Sequence, residues 1–360
     1  MRGYPSGSRP NLLQLLPLSA LYLIQVIDNI DKIPINMITG FLGSGKTTVL
    51  NQLLSSPDLA DTAVLVNEFG EIGVDHLLVK SIDEDIFLLE SGCICCSVRD
   101  DFSASLLRLH ARRAQGSAPR FQRVLLETTG IADPIAISEL VLSDNEIIQR
   151  YVCRKILTVV DAVHGQGNLD KHLEAVKQVS VADHIVISKT DLCDEAPLAV
   201  MEERLRRLNP LAPQSHAGLK PVGPGILSGP SGAAPGPERQ QLPRQDALEG
   251  KANSLPHDNR FATFSLTWPE AVAWDEFAAW LEAILFARGD SIHRVKGLLK
   301  VAGETRPTVI QGVQHSFYSP TRLDRWPDGD TATRLVFITS DFSKRAVINS
   351  LENILDVSAC

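Results

Sequence analysis

Three of the six cysteines in this 360-residue chain lie within four positions, at Cys93, Cys95 and Cys96. Such close spacing strains a disulfide, and two thiol spacings are packed together where a redox pair would show C-x-x-C alone. Thiolates suit zinc and other soft metals, and zinc takes four tetrahedral ligands. We therefore expect the three thiols to bind zinc with one position open to another group, while a redox pair and simple packing remain as alternatives.

A second stretch whose residues could bind a ligand is GFLGSGKTT, residues 40–48. It matches the phosphate-binding pattern G-x-x-x-x-G-K-[ST]. Its glycines let backbone N–H groups converge on a phosphate, and the dipole of the following helix adds to the attraction. Lys46 offers a charge between the β- and γ-phosphates, and the Thr47 hydroxyl is available to Mg²⁺. The expected nucleotide contacts in this stretch are Gly40, Gly43, Ser44, Gly45, Lys46, Thr47 and Thr48.

The stretch SKTD at 188–191 follows a predicted strand and is expected to read the base. The Asp191 carboxylate can accept the N1–H and N2–H of guanine, a donor pair that adenine lacks, so it selects GTP over ATP. Lys189 is expected beside it. Ser188 stands where Asn is usual, and we expect one bracing contact of the amide to be lost there.

Acidic residues after two other predicted strands complete the expected site. Glu127 ends the strand at 123–127 and is expected near Mg²⁺, while the Gly130 N–H is expected to bind the γ-phosphate. Residues 128–133 also suit a cap of the next helix. Glu71 is a candidate fourth zinc ligand and Glu68 a candidate for orienting the attacking water, although both also suit an ordinary acidic surface loop. The residues expected to act in hydrolysis are thus Lys46, Thr47, Glu127 and Glu68.

The elements that must position these groups form a regular series. Strands are predicted at 33–39, 63–68, 86–90, 123–127, 155–161 and 184–188, and helical stretches separate most of them. This alternation predicts an α/β domain with a mostly parallel sheet covered by helices. Because ligands bind at the carboxyl ends of such strands, the thiols and the phosphate loop are expected to share one edge, where the nucleotide can alter the grip on the metal.

The chain is expected to divide into four parts. Residues 1–32 form an N-terminal extension outside the fold, since the apolar run at 11–27 is short for a membrane span and contains Pro17. Residues 33–215 form the nucleotide-binding domain, and 216–259 a Gly/Pro-rich linker or insertion. Residues 260–360 form a smaller α+β domain, with strands at 260–268, 308–319 and 334–340, a helix at 271–287 and all four tryptophans.

Composition narrows the class of protein. The formal charge of −8 and pI of about 5.6 disfavour a nucleic-acid or anionic-membrane partner. Six cysteines in a chain of this length do not suggest a secreted disulfide framework. A cytoplasmic protein is therefore expected.

The stretches GFLGSGKTT, NEFGEIGVD, SGCICC, ETTGIADP and SKTD, in this order, resemble the CobW-type GTPases, relatives of the hydrogenase and urease nickel-insertion GTPases. The stretches RVKGLL, VIQGVQHSFYS and RLVFI resemble the C-terminal domain of that family. The resemblance implies a P-loop GTPase that uses GTP and Mg²⁺ to deliver Zn²⁺ to a client metalloprotein. Two departures concern the metal: Val66 stands where some relatives carry an acid, and the nine histidines, among them His315, are scattered.

Two other functions stay open at this point. Because thiolates discriminate poorly among these metals, a GTPase that handles Co²⁺ or Ni²⁺ for cobalamin or metalloenzyme maturation is one. A non-catalytic metal sensor or interaction protein with a fixed zinc site is the other, since no obvious catalytic arginine or glutamine emerges from the motifs. The sequence does not name the client, and it leaves a homodimer open.

Overall fold

The computed structural model describes residues 32–67, 86–89, 97–118, 120–218, 220–227, 261–318, 320–326 and 330–355, with 357 and 359. Its first sheet has seven parallel strands in the order β3-β2-β4-β1-β5-β6-β7. These strands are β1 (Ile33–Thr39), β2 (Thr62–Asn67), β3 (Ile86–Leu89), β4 (Arg123–Glu127), β5 (Tyr151–Asp161), β6 (His184–Ser188) and β7 (Gln214–Ala217). The helices between them are α1 (Lys46–Leu54), α2 (Ser97–Ala114), α3 (Pro134–Ser143), α4 (Asn145–Ile148), α5 (Gly165–Lys171), α6 (Leu173–Ser180) and α7 (Glu195–Leu208).

This sheet is buried on both faces, as parallel sheets are. Along β1, Ile35 and Met37 belong to one core cluster. Ile38 belongs to another cluster, which also contains residues of helix α1 and strand β4. Alternate side chains of a strand point to opposite faces, so apolar residues run almost unbroken along it. The predicted α/β class is confirmed.

The second sheet is antiparallel, in the order β11-β10-β9-β13-β8, with β12 paired to β10. Trp268 and Trp280 are fully buried in its core, whereas Trp326 is only half-buried. The predicted smaller α+β unit is confirmed. Its elements are β8 (Phe261–Trp268), α8 (Trp274–Arg288), β9 (Ile292–Leu299), β10 (Thr308–Val313), β11 (Ser316–Phe317), β12 (Thr321–Arg322), β13 (Thr333–Ser340) and α9 (Lys344–Glu352).

Two expectations from the sequence differ from the structure. The single strand expected at 308–319 is a hairpin, because the backbone turns at Gln314, with φ of 48°, and at His315. The stretch expected as a linker from residue 216 starts as part of the first unit, since Val222 and Leu227 pack into its core. Residues 228–260 of that stretch, like 1–31, lie outside the described residues.

A buried ionic cluster joins the two sheets. Arg294 of β9 donates to the Asp183 carboxylate and to the Val181 carbonyl, while Lys296 lies 3.8 Å from Asp183. Asp183 also accepts from the Ile156 N–H at 3.0 Å. Burial alone would raise the pKa of Asp183, but Arg294 and Lys296 outweigh it and hold that pKa below its ordinary value. The carboxylate is therefore charged inside the contact between the sheets.

Removing one partner from this cluster is expected to destabilise the chain. Arg294→Met removes the cation that is hydrogen-bonded to the buried Asp183 and leaves Lys296 at 3.8 Å and the more distant Lys155. Losing one partner of a buried pair costs about 3 kcal/mol or more. The urea midpoint of unfolding should fall accordingly. Adding Asp183→Asn should recover part of the loss, because the amide removes the charge and still accepts the Ile156 N–H. No recovery would show that charge is not the cause.

Within the described residues, none of the helices has the length and apolarity needed to cross a membrane.

Candidate nucleotide site

The loop between β1 and α1 curls through three glycines with positive φ: 144° at Gly40, 70° at Gly43 and 90° at Gly45. A Cβ on Gly40 would lie 2.2 Å from the Val159 carbonyl oxygen, so no larger residue fits there. Helix α1 begins after Gly45 without a side-chain cap. Its first N–H groups therefore suit an anion, as the sequence predicts.

Lys46 and Thr47, the first two residues of α1, make hydrogen bonds to different partners. The Lys46 ammonium donates to the carbonyls of Gly40 at 3.1 Å and Phe41 at 3.3 Å, which holds it over the loop. The Thr47 hydroxyl donates to Glu127 Oε1 at 2.7 Å. Thr48 is exposed on the same turn. The structure thus brings Lys46, Thr47 and Glu127, three candidate groups, to one edge of the sheet.

The fit to a magnesium nucleotide is supported by this donor set. Glu127 is only 5% exposed at the end of β4, and its carboxylate faces a threonine hydroxyl across the loop. Oxygen donors of these two kinds suit Mg²⁺. A magnesium ion held by Thr47 and Glu127 would supply positive charge to the phosphates of the nucleotide.

The segment after Glu127 packs directly on the phosphate loop. The Thr128 N–H donates to the Ile38 carbonyl at 3.0 Å, which continues the contact of β4 with β1. A Cβ on Gly130 would lie 2.7 Å from both Cα and N of Leu42. Asp133 then caps α3 by accepting from the Ile135 N–H at 3.0 Å. Residues 128–133 therefore touch the phosphate loop, and they also cap a helix as the sequence suggested.

The end of β6 braces the same loop. The Ser188 hydroxyl donates to the Ser44 carbonyl at 2.5 Å and to the Val160 carbonyl at 3.3 Å. We expected one bracing contact to be missing because Ser188 stands in place of the usual asparagine. The Ser188 hydroxyl instead makes its own hydrogen bond to the phosphate loop. Lys189, in left-handed backbone with φ of 56°, donates to the Gly43 carbonyl at 2.8 Å.

Asp161 is a site residue that sequence reasoning missed. Its Oδ2 lies 2.7 Å from the Lys189 ammonium, and its Oδ1 accepts from the Val163 and His164 N–H groups. Burial alone would raise the pKa of Asp161, but Lys189 and the two amides outweigh it and keep that pKa below its ordinary value. The signal available was its place as the acid that ends strand 155–161.

Asp191 lies in a short 3₁₀ helix, Thr190–Leu192, and is exposed. Gly218, just after β7, backs this turn, because a Cβ there would lie 2.5 Å from the Thr190 hydroxyl and 3.2 Å from Asp191 Oδ1. The turn is therefore closely backed by the chain at Gly218, and the Asp191 side chain is exposed. Sequence reasoning did not single out Gly218.

The predicted metal ligands Cys93, Cys95, Cys96 and Glu71, and the predicted water-orienting Glu68, lie outside the described residues. In the part of the chain that the structure covers, no group of three or more His, Cys, Asp or Glu side chains could hold a metal ion. His315 lies on an exposed turn, where it contacts the Leu285 carbonyl and Asp290.

Family comparisons cover both units of the chain. Residues 34–216 match the family described as CobW/HypB/UreG, nucleotide-binding domain. Residues 261–355 match the family described as Cobalamin synthesis protein cobW C-terminal domain. The two matches follow the order of the two sheets.

Named relatives span nearly the whole chain. The protein called zinc chaperone YjiA of Escherichia coli is 33% identical, with 85% of this chain and 93% of that protein covered. The zinc chaperone CobW of Pseudomonas aeruginosa is 29% identical, with 90% and 92% covered. The crystal structure of Zn(II)-bound YjiA GTPase from E. coli is similar with a TM-score of 0.65 at 25% identity, covering 90% of this chain and 99% of that one.

Proposed function

Since the chain belongs to the CobW/HypB/UreG family of nucleotide-binding proteins, we propose that it hydrolyses GTP and couples the nucleotide cycle to the delivery of zinc. It is a GTPase of the CobW type, with GTP and Mg²⁺ at the phosphate loop. Zinc is its cargo, and the recipient is a client metalloprotein. We place it in the cytoplasm, where GTP is available.

One observation carries the catalytic half of this proposal. The Thr47 hydroxyl and the Glu127 carboxylate meet at 2.7 Å across the phosphate loop. The pair suits the metal ion that phosphoryl transfer requires.

The described residues divide the work of the site. Lys46 holds positive charge over the phosphate loop, and Thr47 with Glu127 supplies oxygen ligands. Gly130 brings backbone against the same loop for the terminal phosphate. Asp191 accepts the two guanine N–H donors.

The zinc half of the proposal rests on the thiols and on the relatives. Cys93, Cys95 and Cys96 follow the sequence of β3, whose carboxyl end lies at the edge shared with β4 and Glu127. A three-thiolate site leaves one zinc position for Glu71 or for a client. Relatives named zinc chaperones favour zinc over cobalt or nickel.

Single-turnover GTP hydrolysis with and without Zn²⁺ at buffered free concentration tests both halves. The unsubstituted chain should hydrolyse GTP and respond to zinc. In Cys95→Ser/Cys96→Ser, zinc affinity should fall by more than roughly 100-fold, since even an outer partner of a metal ligand is worth about 10- to 100-fold. The zinc response should vanish with it.

Cys153→Ala is the matched control. Burial raises the pKa of the Cys153 thiol to about 12, so it is protonated at neutral pH and is no metal ligand. This variant should keep zinc affinity and the zinc response. Unchanged zinc binding in the double serine variant would exclude the cysteine cluster as the metal site. Absence of hydrolysis by the unsubstituted chain would instead favour a non-catalytic zinc sensor.

A further inference from the structure

Gln178 of helix α6 is a buried amide that bonds the segment following Glu127. It is 1% exposed. Its Nε2 donates to the Gly130 carbonyl at 3.2 Å and to the Ala132 carbonyl at 3.1 Å. Both N–H bonds of one side chain are therefore used on two carbonyls of residues 128–133, which we call the β4–α3 loop.

The position of this amide is fixed from the sheet side. The Thr158 hydroxyl of β5 donates to the backbone carbonyl of Gln178 at 2.7 Å. Gln178 also lines, with Phe41 and Ser44 of the phosphate loop, one small cavity between α6 and the sheet. Gln178 therefore bonds residues 128–133 and lines a cavity together with two residues of the phosphate loop.

The β4–α3 loop is consequently held from two directions. Gly130 lies so close to Leu42 that a Cβ would clash with backbone at 2.7 Å, and its carbonyl is held on the other side by Gln178. Fixing this carbonyl fixes the peptide plane between Gly130 and Ile131, whereas the Gly130 N–H lies in the preceding peptide. The two bonds from Gln178 therefore hold the path of the loop rather than that N–H directly. A loop that releases these bonds leaves a buried amide without acceptors, which is unfavourable.

We propose that Gln178 is a positioning residue for GTP hydrolysis, holding the β4–α3 loop in the arrangement that receives the terminal phosphate. The inference rests on the proposed function, because it assigns a role in that reaction. Gln178 touches the loop and not the nucleotide, so it acts through Gly130. Its two bonds favour the ordered loop and with it the triphosphate over the diphosphate.

The test separates a bias toward GTP from a general structural effect. Q178M keeps the length of the side chain and removes both donors, and Q178N keeps the amide but shortens its reach by one methylene. Affinities for GDP and for a non-hydrolysable GTP analogue are measured with Mg²⁺, together with the single-turnover hydrolysis rate. We expect GDP affinity to be nearly unchanged and the preference for the analogue to fall by roughly 5- to 150-fold.

Asn209→Leu is the matched control for lost stability. Asn209 is a buried amide that donates to the carbonyls of Val179, Ser180 and Ala182 at the end of the same helix, and it bonds no carbonyl of the β4–α3 loop. This variant should lower the thermal midpoint and keep the analogue-over-GDP ratio.

Two results would overturn the inference. The first is that both Gln178 variants keep the unsubstituted ratio of analogue affinity to GDP affinity, whether or not the two affinities fall together. The second is that Asn209→Leu lowers this ratio as much as the Gln178 variants do. Failure of the proposed function has a different signature, since it requires that the unsubstituted chain neither binds nor hydrolyses GTP.

Discussion

Lys46→Met is expected to lower the single-turnover rate of GTP hydrolysis by roughly 10²- to 10³-fold, the usual effect of removing one preorganised donor of developing charge. The ammonium is held over the loop by the Gly40 and Phe41 carbonyls at 3.1 and 3.3 Å. Methionine keeps most of the side-chain length and removes the charge. Quenched-flow measurement with enzyme in excess over GTP isolates the chemical step from product release.

Lys344→Met is the control, since Lys344 is the partly exposed first residue of α9, in the unit built on the second sheet. It removes the same charge from the chain outside the unit that carries the phosphate loop, and hydrolysis should continue at the unsubstituted rate. A Lys46→Met rate within about threefold of the unsubstituted rate, a barrier change of about 0.7 kcal/mol, would contradict the placement of this ammonium at the phosphates.

Asp191→Ala is expected to weaken GTP binding by roughly 10²- to 10⁴-fold, because two hydrogen bonds to a charged acceptor are lost at about 1.5–3 kcal/mol each. ATP binding should change little, since adenine presents no matching donor pair. The preference for GTP over ATP therefore collapses. Equilibrium titration with fluorescent guanine and adenine nucleotides measures the ratio directly.

Asp191→Asn adds a test of sign. The amide can donate to a carbonyl at base position 2, so the variant should gain affinity for xanthosine triphosphate, which carries oxygen there. Asp194→Asn removes a negative charge three residues away, at the exposed start of α7, and should keep the GTP preference. If Asp191→Ala retained that preference, base selection would have to be assigned to other groups.

The sequence predicted the α/β sheet and the glycine-rich loop after its first strand, because the residues that define them are close together in the chain. The spacing of Gly40, Gly45 and Lys46 defines a loop whose conformation is set by neighbours in sequence, and the structure shows the positive φ values that this requires. Glu127 was likewise predicted from the end of a hydrophobic strand. In short-range patterns of this kind, residues close together in the sequence determine the local backbone conformation.

Gln178 could not be predicted in the same way. In the stretch VKQVS it looks like any polar position of an amphipathic helix, and its role depends on two carbonyls 46 and 48 residues earlier in the chain. The hairpin at Gln314 was missed for a related reason. Polar and apolar residues alternate along 308–319, and no pair of the Asn-Gly or Gly-Gly kind lies at its centre to signal a hairpin turn.

The charged contact between the sheets has a consequence for hybrid proteins assembled from two relatives. Asp183 lies one residue before β6, the strand that leads to the turn of Asp191, and its cations Arg294 and Lys296 come from the other half of the chain. A chimera that takes its halves from different parents must therefore inherit both sides of this contact together. Otherwise the buried Asp183 carboxylate loses both cations at the start of the strand that carries the proposed guanine-binding turn.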